Sequence, residues 1–373
     1  MSTDKPHITV IGAGHGGKAM SAEMAARGFP VTLYNRTFKH IEVIQLRGGI
    51  ELITEEGRQV FGPLQRVTAD MEEALSDAEL IMVVIPASGH RSVALKAAPY
   101  LRDGQTVVLN PGRTGGALEF IQGLREGGCS SYPTICEAET FLFASRSIGP
   151  AEARIFRTKY SVPVAALPAT HTEEALALLQ QVYPQFIPAA NILHTSLDNM
   201  GAIFHPALTL LNAGRIESTQ GDFEFYMEGV TPSTAKVLEA LDRERVTVAS
   251  ALGIRAQTAQ EWLYRAYAAE GDNLHAAMHA NPGYKGIQAP NRLQHRYLFE
   301  EIPCSLVPIV AIGKQYGVDA PTMRALIHLA NIIHGADYWR RGRTLERLGI
   351  KRMSVQELHT YVETGQRDRP VRG

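Results

Sequence analysis

Three groups of residues in this 373-residue chain have the types and spacing to do chemistry. The first is His205, followed at once by Pro206, in an apolar stretch that reads as a helix over 196–212. Proline removes the amide that would bond the carbonyl of Ala202, so the helix must kink beside the histidine. An imidazole there titrates close to neutrality and can act as a general acid or base. A histidine that merely caps the broken helix is the competing reading. Asp198, His205 and Asn212 share a seven-residue spacing and are expected on one helical face. The second group is Arg296, Glu300 and Glu301 within QHRYLFEEIP. A carboxylate there can fix a histidine tautomer, and a guanidinium can take a substrate carboxylate through two parallel hydrogen bonds. A solvated, charged helix end gives the same pattern.

The third group is the turn in ITVIGAGHGGKAM, residues 8–20, where β-prone residues run into Gly12, Gly14 and Gly17 and then into helix-forming sequence. In a G-x-G-x-x-G turn the first glycine allows the tight bend and the second lets backbone approach a pyrophosphate. The third lets the helix pack against the strand, and the helix N-terminus receives the anion. Gly12, Gly14, His15, Gly16 and Gly17 are therefore the cofactor-binding candidates of this loop. A second strand at Val31–Tyr34 ends in Asn35-Arg36-Thr37. NAD-preferring sites place an acidic residue there, roughly 20 residues past the glycines, to bond the ribose. A carboxylate would repel a 2′-phosphate, whereas the Arg36 guanidinium attracts one. The expected coenzyme is NADP(H), with NAD(H) as the alternative. Arg36 as an ordinary surface arginine remains the competing reading.

These groups need elements to position them. The apolar run at 78–85 reads as a strand buried on both faces and ends at Pro86-Ala87. Ligands of open α/β sheets lie beyond the carboxyl ends of the strands, so Pro86 and Ala87 are expected near the cofactor. Further strands are expected at 105–109, 134–137, 161–167 and 186–188, with helices between, and a hairpin at 50–61 turning at Glu56-Gly57. A parallel sheet covered by helices on both faces is the consistent interpretation. From about residue 191 the pattern changes to long amphipathic helices, including 234–252 capped by Ser233, 256–269, 305–316, 321–336 and 354–364. The fold class expected is α/β: an N-terminal Rossmann dinucleotide-binding domain over 1–190 and an all-helical domain over 191–373. Small-molecule sites usually form where two such domains meet.

Composition bounds the rest. A hydrophobic content of 45% suffices for a core in each of two domains, and the formal net charge is −1. Without a basic run, nucleic acid is not an expected partner. No apolar run approaches the length that spans a bilayer, and the start MSTDKPH leads straight into a strand, so no membrane is expected and the expected location is the cytoplasm. Cys129, Cys136 and Cys304 are odd in number and scattered, which provides neither a disulfide framework nor a metal knuckle. No metal is expected.

Several stretches together make a further pattern: VIGAGHGGKAM, LNPG at 109–112 with GGALE at 115–119, LHTSL at 193–197, His205-Pro206 with Leu210-Leu211-Asn212, YMEGVTP at 226–232, Arg296-Tyr297 with Phe299-Glu300-Glu301, and RTLE at 343–346. On these residues the chain resembles the bacterial opine dehydrogenases, the octopine and nopaline dehydrogenase family, over almost its whole length. The resemblance implies NAD(P)H-dependent reductive condensation of an α-keto acid, such as pyruvate, with the amino group of an amino acid. It places the family's histidine at His205 and its substrate-carboxylate arginine at Arg296. The helper carboxylate, usually Asp, falls on Glu301; the extra methylene leaves Glu300 open as the alternative. A homodimer is expected. The alternatives are a 2-keto acid or 2-hydroxy acid reductase of the ketopantoate reductase or glycerol-phosphate dehydrogenase type, and a non-catalytic NADP(H) sensor.

Overall fold

The computed structural model describes residues 5–367. They group into two compact units. One takes in the chain up to Gly112, Gly116–Ser196 and the stretch from Gln356 onward; the other takes in Arg113–Gly115 and Leu197–Val355.

The first unit is built on β1 (Ile8–Ile11), β2 (Val31–Tyr34), β3 (Gly49–Ile53), β4 (Gln59–Pro63), β5 (Arg66–Thr68), β6 (Leu80–Val83), β7 (Thr106–Leu109), β8 (Thr134–Ala138), β9 (Phe143–Gly149), β10 (Glu152–Thr158), β11 (Val162–Leu167) and β12 (Phe186–Pro188). Eight of these form one sheet in the order β12-β11-β8-β7-β6-β1-β2-β5. Every residue of β1, β2, β6 and β7 is buried, as expected for strands covered on both faces. Val10 on β1 pairs with Leu33 on one side and Met82 on the other. The strand order therefore reverses at β1, and the glycine turn sits at its carboxyl end, the usual ligand position in such sheets.

One expectation needs correction here. The sheet is mixed, because β11 runs antiparallel to β8, with Ala165 opposite Glu137, and β12 runs parallel to β11. The chain between β8 and β11 contains no crossover helix, and an antiparallel return requires none. That connection instead forms β9 and β10, which join the 50–61 hairpin as a second, four-stranded sheet in the order β4-β3-β10-β9. The second sheet packs on the helix His15–Ala26: a Cβ on Gly62 would lie 2.3 Å from the Ala22 carbonyl oxygen. Buried Lys18 donates from Nζ to Ser147 Oγ and the Gly149 carbonyl, each at 3.1 Å.

The expected 196–212 helix is two helices, Ile192–Leu197, which belongs to the first unit up to Ser196, and Gly201–Leu211 in the second, followed by Ala213–Thr219. The break has a physical reason. Asp198 Oδ1 accepts from the Gln257 amide at 2.9 Å and from fully buried Arg245 at 3.4 Å. The side chain of Asn212 donates to the Leu208 and Gly229 carbonyls at 2.9 and 3.1 Å. Asp198 and Asn212 are thus structural, and the expected one-face alignment with His205 does not exist. The long helix Pro232–Ala251 is capped by Thr231, not Ser233: Thr231 and Thr234 form a reciprocal capping box, with Pro232 in the first turn. The stretch expected as one helix from 305 begins as a π-helix, Ile302–Leu306, and continues as Val307–Gln315. Among the described residues, no helix is long and apolar enough to cross a membrane.

Candidate active site

His205 lies in the middle of Gly201–Leu211, whose neighbours are almost all buried, and a fifth of its side chain is exposed (20%). The Thr209 hydroxyl donates to the His205 carbonyl at 2.7 Å, which anchors the backbone beside Pro206. The ring stacks on Tyr297, centroids 4.1 Å apart and planes 12° from parallel, and Tyr297 in turn stacks on Phe225 at 5.2 Å. His205 Nδ1 and Glu301 Oε1 are 2.8 Å apart. An ionised carboxylate only accepts, so Nδ1 carries the proton and Nε2 is the nitrogen left to work.

Glu301 is almost fully buried and belongs to a closed ring of three hydrogen bonds and one ion pair. Arg113 Nη2 meets Glu301 Oε1 at 2.9 Å. The Ser305 hydroxyl donates to Glu301 Oε2 at 2.8 Å, and Asn199 Nδ2 donates to Ser305 Oγ at 2.8 Å. Arg113 Nη1 closes the ring by donating to Asn199 Oδ1 at 3.2 Å. Ser305 lies four residues after Glu301, a spacing that brings two side chains together on one helical face. Gly201 belongs to the arrangement by having no side chain: a Cβ would lie 2.3 Å from Arg113 Nη1 and 2.7 Å from Glu301 Oε1. Glu300 faces other partners, Arg113 Nε at 3.4 Å and Arg296 Nε at 3.0 Å. The Arg296 side chain is half exposed.

Electrostatics follow from this geometry. Burial alone would favour a protonated Glu301, but Arg113, His205 and the Ser305 hydroxyl outweigh it and hold the carboxyl well below its ordinary value. Burial lowers the pKa of His205; Glu301 opposes that, while Arg113 and Arg296 reinforce it, and the net direction is down. The imidazole is therefore readily deprotonated and accepts or returns a proton at Nε2.

In the first unit, Gly12 adopts φ +115°, and a Cβ there would lie 2.5 Å from the Val84 carbonyl oxygen. A Cβ on Gly17 would lie 1.7 Å from the Gly12 carbonyl oxygen, so the turn and helix are in backbone contact. Gly16 packs against Phe141. Gly14, the N-cap of His15–Ala26, has nothing within 4 Å of its would-be Cβ, leaving open space for a pyrophosphate at the helix N-terminus. His15 Nδ1 accepts from the Ser147 amide at 2.9 Å. Asn35 braces the turn: its Oδ1 accepts from the Ala13 amide at 3.2 Å and its Nδ2 donates to the Thr37 carbonyl at 2.9 Å. Arg36 and Thr37 are exposed, and the Arg36 guanidinium has no carboxylate within ion-pair distance among the described residues. Pro86 is exposed and Ala87 buried, directly after the Val84-Ile85 segment that touches Gly12. These residues fit a dinucleotide. Among the described residues, no group of three His, Cys, Asp or Glu side chains can hold a metal ion.

The structure thus gathers His205, Glu301, Glu300 and Arg296 in one unit, and the glycine turn, Asn35, Arg36, Thr37, Pro86 and Ala87 in the other. Arg113, Asn199, Gly201 and Ser305 escape the sequence reading. A signal for Arg113 exists: two adjacent acids in the apolar run LFEEIPCSLVPIV demand a buried cation.

A dinucleotide turn at the sheet's switch point, with a histidine–carboxylate pair in a helical unit, defines a nicotinamide-dependent oxidoreductase. Comparison with known proteins sharpens the class. Residues 188–334 match the family model described as NAD/NADP octopine/nopaline dehydrogenase, alpha-helical domain, and residues 7–139 match that of the NAD-dependent glycerol-3-phosphate dehydrogenase N-terminus. An opine dehydrogenase of Arthrobacter sp. (strain 1C) is 37% identical over 95% of this chain and 98% of its own length. A solved octopine dehydrogenase with NADH and L-arginine is similar at a TM-score of 0.80 and 21% identity, covering 98% of this chain and 99% of that one. Yersinopine dehydrogenase with NADP+ bound is similar at 0.72 and 15% identity, covering 97% and 99%. At those identities the two structures speak for the fold. The chain belongs to the opine dehydrogenase family. Its reaction is the NAD(P)H-dependent reductive joining of an α-keto acid to the amino group of an amino acid.

Proposed function

We propose that the coenzyme is NADPH, that Arg296 anchors the keto-acid carboxylate, and that His205, oriented by Glu301, is the acid/base. The observation that supports the site assignment is geometric: Arg296, half exposed and ion-paired at Nε with Glu300, directly precedes Tyr297, whose ring stacks on His205. The amine attacks the keto carbon. His205 Nε2 gives a proton to the oxygen that departs as water, leaving a carbon–nitrogen double bond. The coenzyme supplies the hydride that reduces this bond. Glu301 keeps Nδ1 protonated, so the same nitrogen, Nε2, always faces the substrate. In the reverse direction neutral Nε2 takes the proton.

The support for NADPH is Arg36, an exposed guanidinium at the end of β2 where an acidic residue would signal NAD. A matrix of keto acids against amino acids, read by NADPH consumption and product mass, tests the reaction. NADPH consumption by pyruvate without amine dependence would exclude it. The enzyme works as a dimer, supported by exposed Leu329, Ile332 and Ile333 along one face of Pro321–His334; light scattering on Ile332→Glu tests this, and an unchanged mass excludes that face. Cys129, Cys136 and Cys304 form no disulfide with one another, which supports a reducing compartment such as the cytoplasm.

A further inference from the structure

We infer that Arg113 is a positioning residue of the reaction: it fixes the Glu301 carboxylate toward His205 and sets the proton affinity of that pair. This rests on the assignment of His205 and Glu301 made above.

The placement of Arg113 is unusual. It follows Asn110-Pro111-Gly112 and belongs, with Thr114 and Gly115, to the helical unit, although both flanking stretches belong to the other. The tripeptide is fastened there through its backbone: the Thr114 amide donates to the Cys304 carbonyl at 3.2 Å, and Arg343 Nη1 donates to the Thr114 carbonyl at 2.9 Å. Arg113 itself has φ +62°, a left-handed conformation that is unfavourable for a non-glycine residue. Glycines stand at 112 and 115, so an arginine in the left-handed position is a departure that its side chain must justify.

The side chain does three things from one buried place. Nη2 meets Glu301, Nε meets Glu300, and Nη1 meets Asn199, which reaches Glu301 again through Ser305. Only a planar fork offers donors in those separate directions at once. The closed ring leaves the Glu301 carboxylate one orientation, and that orientation puts Oε1 on His205 Nδ1.

The charges facing this group are few. His205 is faced by Glu301, Arg113 and Arg296, with Tyr297 stacked on its ring. Arg113 is faced by Glu301, Glu300 and Cys304. Removing the Arg113 charge raises the affinity of the His205–Glu301 pair for a proton, whichever of the two carries it. Removing the Glu301 charge lowers it.

The test compares pH–rate profiles of Arg113→Met, Arg113→Lys and His205→Asn enzymes under saturating NADPH. Arg113→Met should move the limb carried by the His205–Glu301 pair upward by roughly one pH unit and lower kcat on the order of 10²-fold. Arg113→Lys keeps the charge and loses the fork, so it should leave the limb in place and still lower kcat, with KM for NADPH unchanged. An Arg113→Lys enzyme with wild-type kcat overturns the inference, and so does a folded Arg113→Met enzyme whose limb does not move. If Arg113→Met fails to fold, Arg113→Lys alone decides. Persistence of the limb in His205→Asn refutes the underlying assignment instead, which separates the two failures.

Discussion

The glycine turn and the Glu301 ring are built on opposite principles. The turn is made of backbone and space. Gly12 and Gly17 are fixed because any Cβ would strike a carbonyl oxygen at 2.5 or 1.7 Å, and Gly14 matters because nothing is there. All of it lies within six consecutive residues, 12–17. The ring is made of side chains brought from 113, 199, 301 and 305, with His205 bonded to it through Glu301 and a glycine at 201 that clears room. A site made of backbone leaves its signature in local spacing. A site made of buried charge leaves it in residue types that look out of place until their partners are known.

The comparison breaks most sharply at the glycines. Gly17→Ala forces two backbone segments apart, which puts it among the exceptional single changes of about 4 kcal/mol or more. NADPH binding, followed by fluorescence titration, should vanish and the melting temperature should fall. Gly14→Ala meets no protein atom, so it should leave the melting temperature within a few degrees and weaken only coenzyme binding. Equal melting temperatures for the two variants would show that the turn is not backbone-limited.

His205→Asn probes the other site at its centre. Loss of the acid/base should cost roughly 10²–10⁴ in rate while leaving NADPH binding intact. A fully active variant would refute the assignment. Arg36→Ala is expected to be smaller: loss of one charge-assisted contact to a 2′-phosphate should raise KM for NADPH about 10-fold or more and leave KM for NADH nearly unchanged. A wild-type preference for NADH would dispose of that assignment.

How far each region can be read from sequence follows the same division. The buried strands β1, β2, β6 and β7 appear as apolar runs, and the turn appears as spacing. The sheet's reversed edge is invisible, because nothing in Val162–Leu167 records which way its neighbour runs. The β9–β10 hairpin carries a period-two alternation in its burial, yet β10 pairs in space with β3, where Glu152 lies opposite Glu51, 101 residues earlier. His205 stands out by its proline. Asp198 and Asn212 share its spacing and nothing else, since a break at 198–200 rotates Asp198 toward Arg245. The pairing of His205 with Glu301, rather than Glu300, is expected only through the family resemblance. Glu300 and Glu301 differ in role by a rotation about the chain that one residue of register decides.

That last distinction sets the finest test, because it asks whether two adjacent carboxylates do different work. Glu301 touches His205 and opposes the burial that depresses the imidazole, whereas Glu300 touches Arg113 and Arg296. Glu301→Gln removes the anion and lowers the His205 pKa further. In the reductive direction the imidazolium is the proton donor, so rate is lost as pH rises through this pKa, and the alkaline limb should move down by about one pH unit. In the oxidative direction neutral His205 is the base, and the same variant should move the acid limb down, extending activity to lower pH. Glu300→Gln should leave both limbs where they are and raise KM for the keto acid about 10-fold, because Arg296 loses the partner that fixes its Nε. Glu301→Asp shortens an arm that Arg113 and Ser305 hold at full length, so a modest loss of kcat is expected with no gain. Limbs that move in Glu300→Gln and stay in Glu301→Gln would exchange the two roles and shift the assignment by one residue.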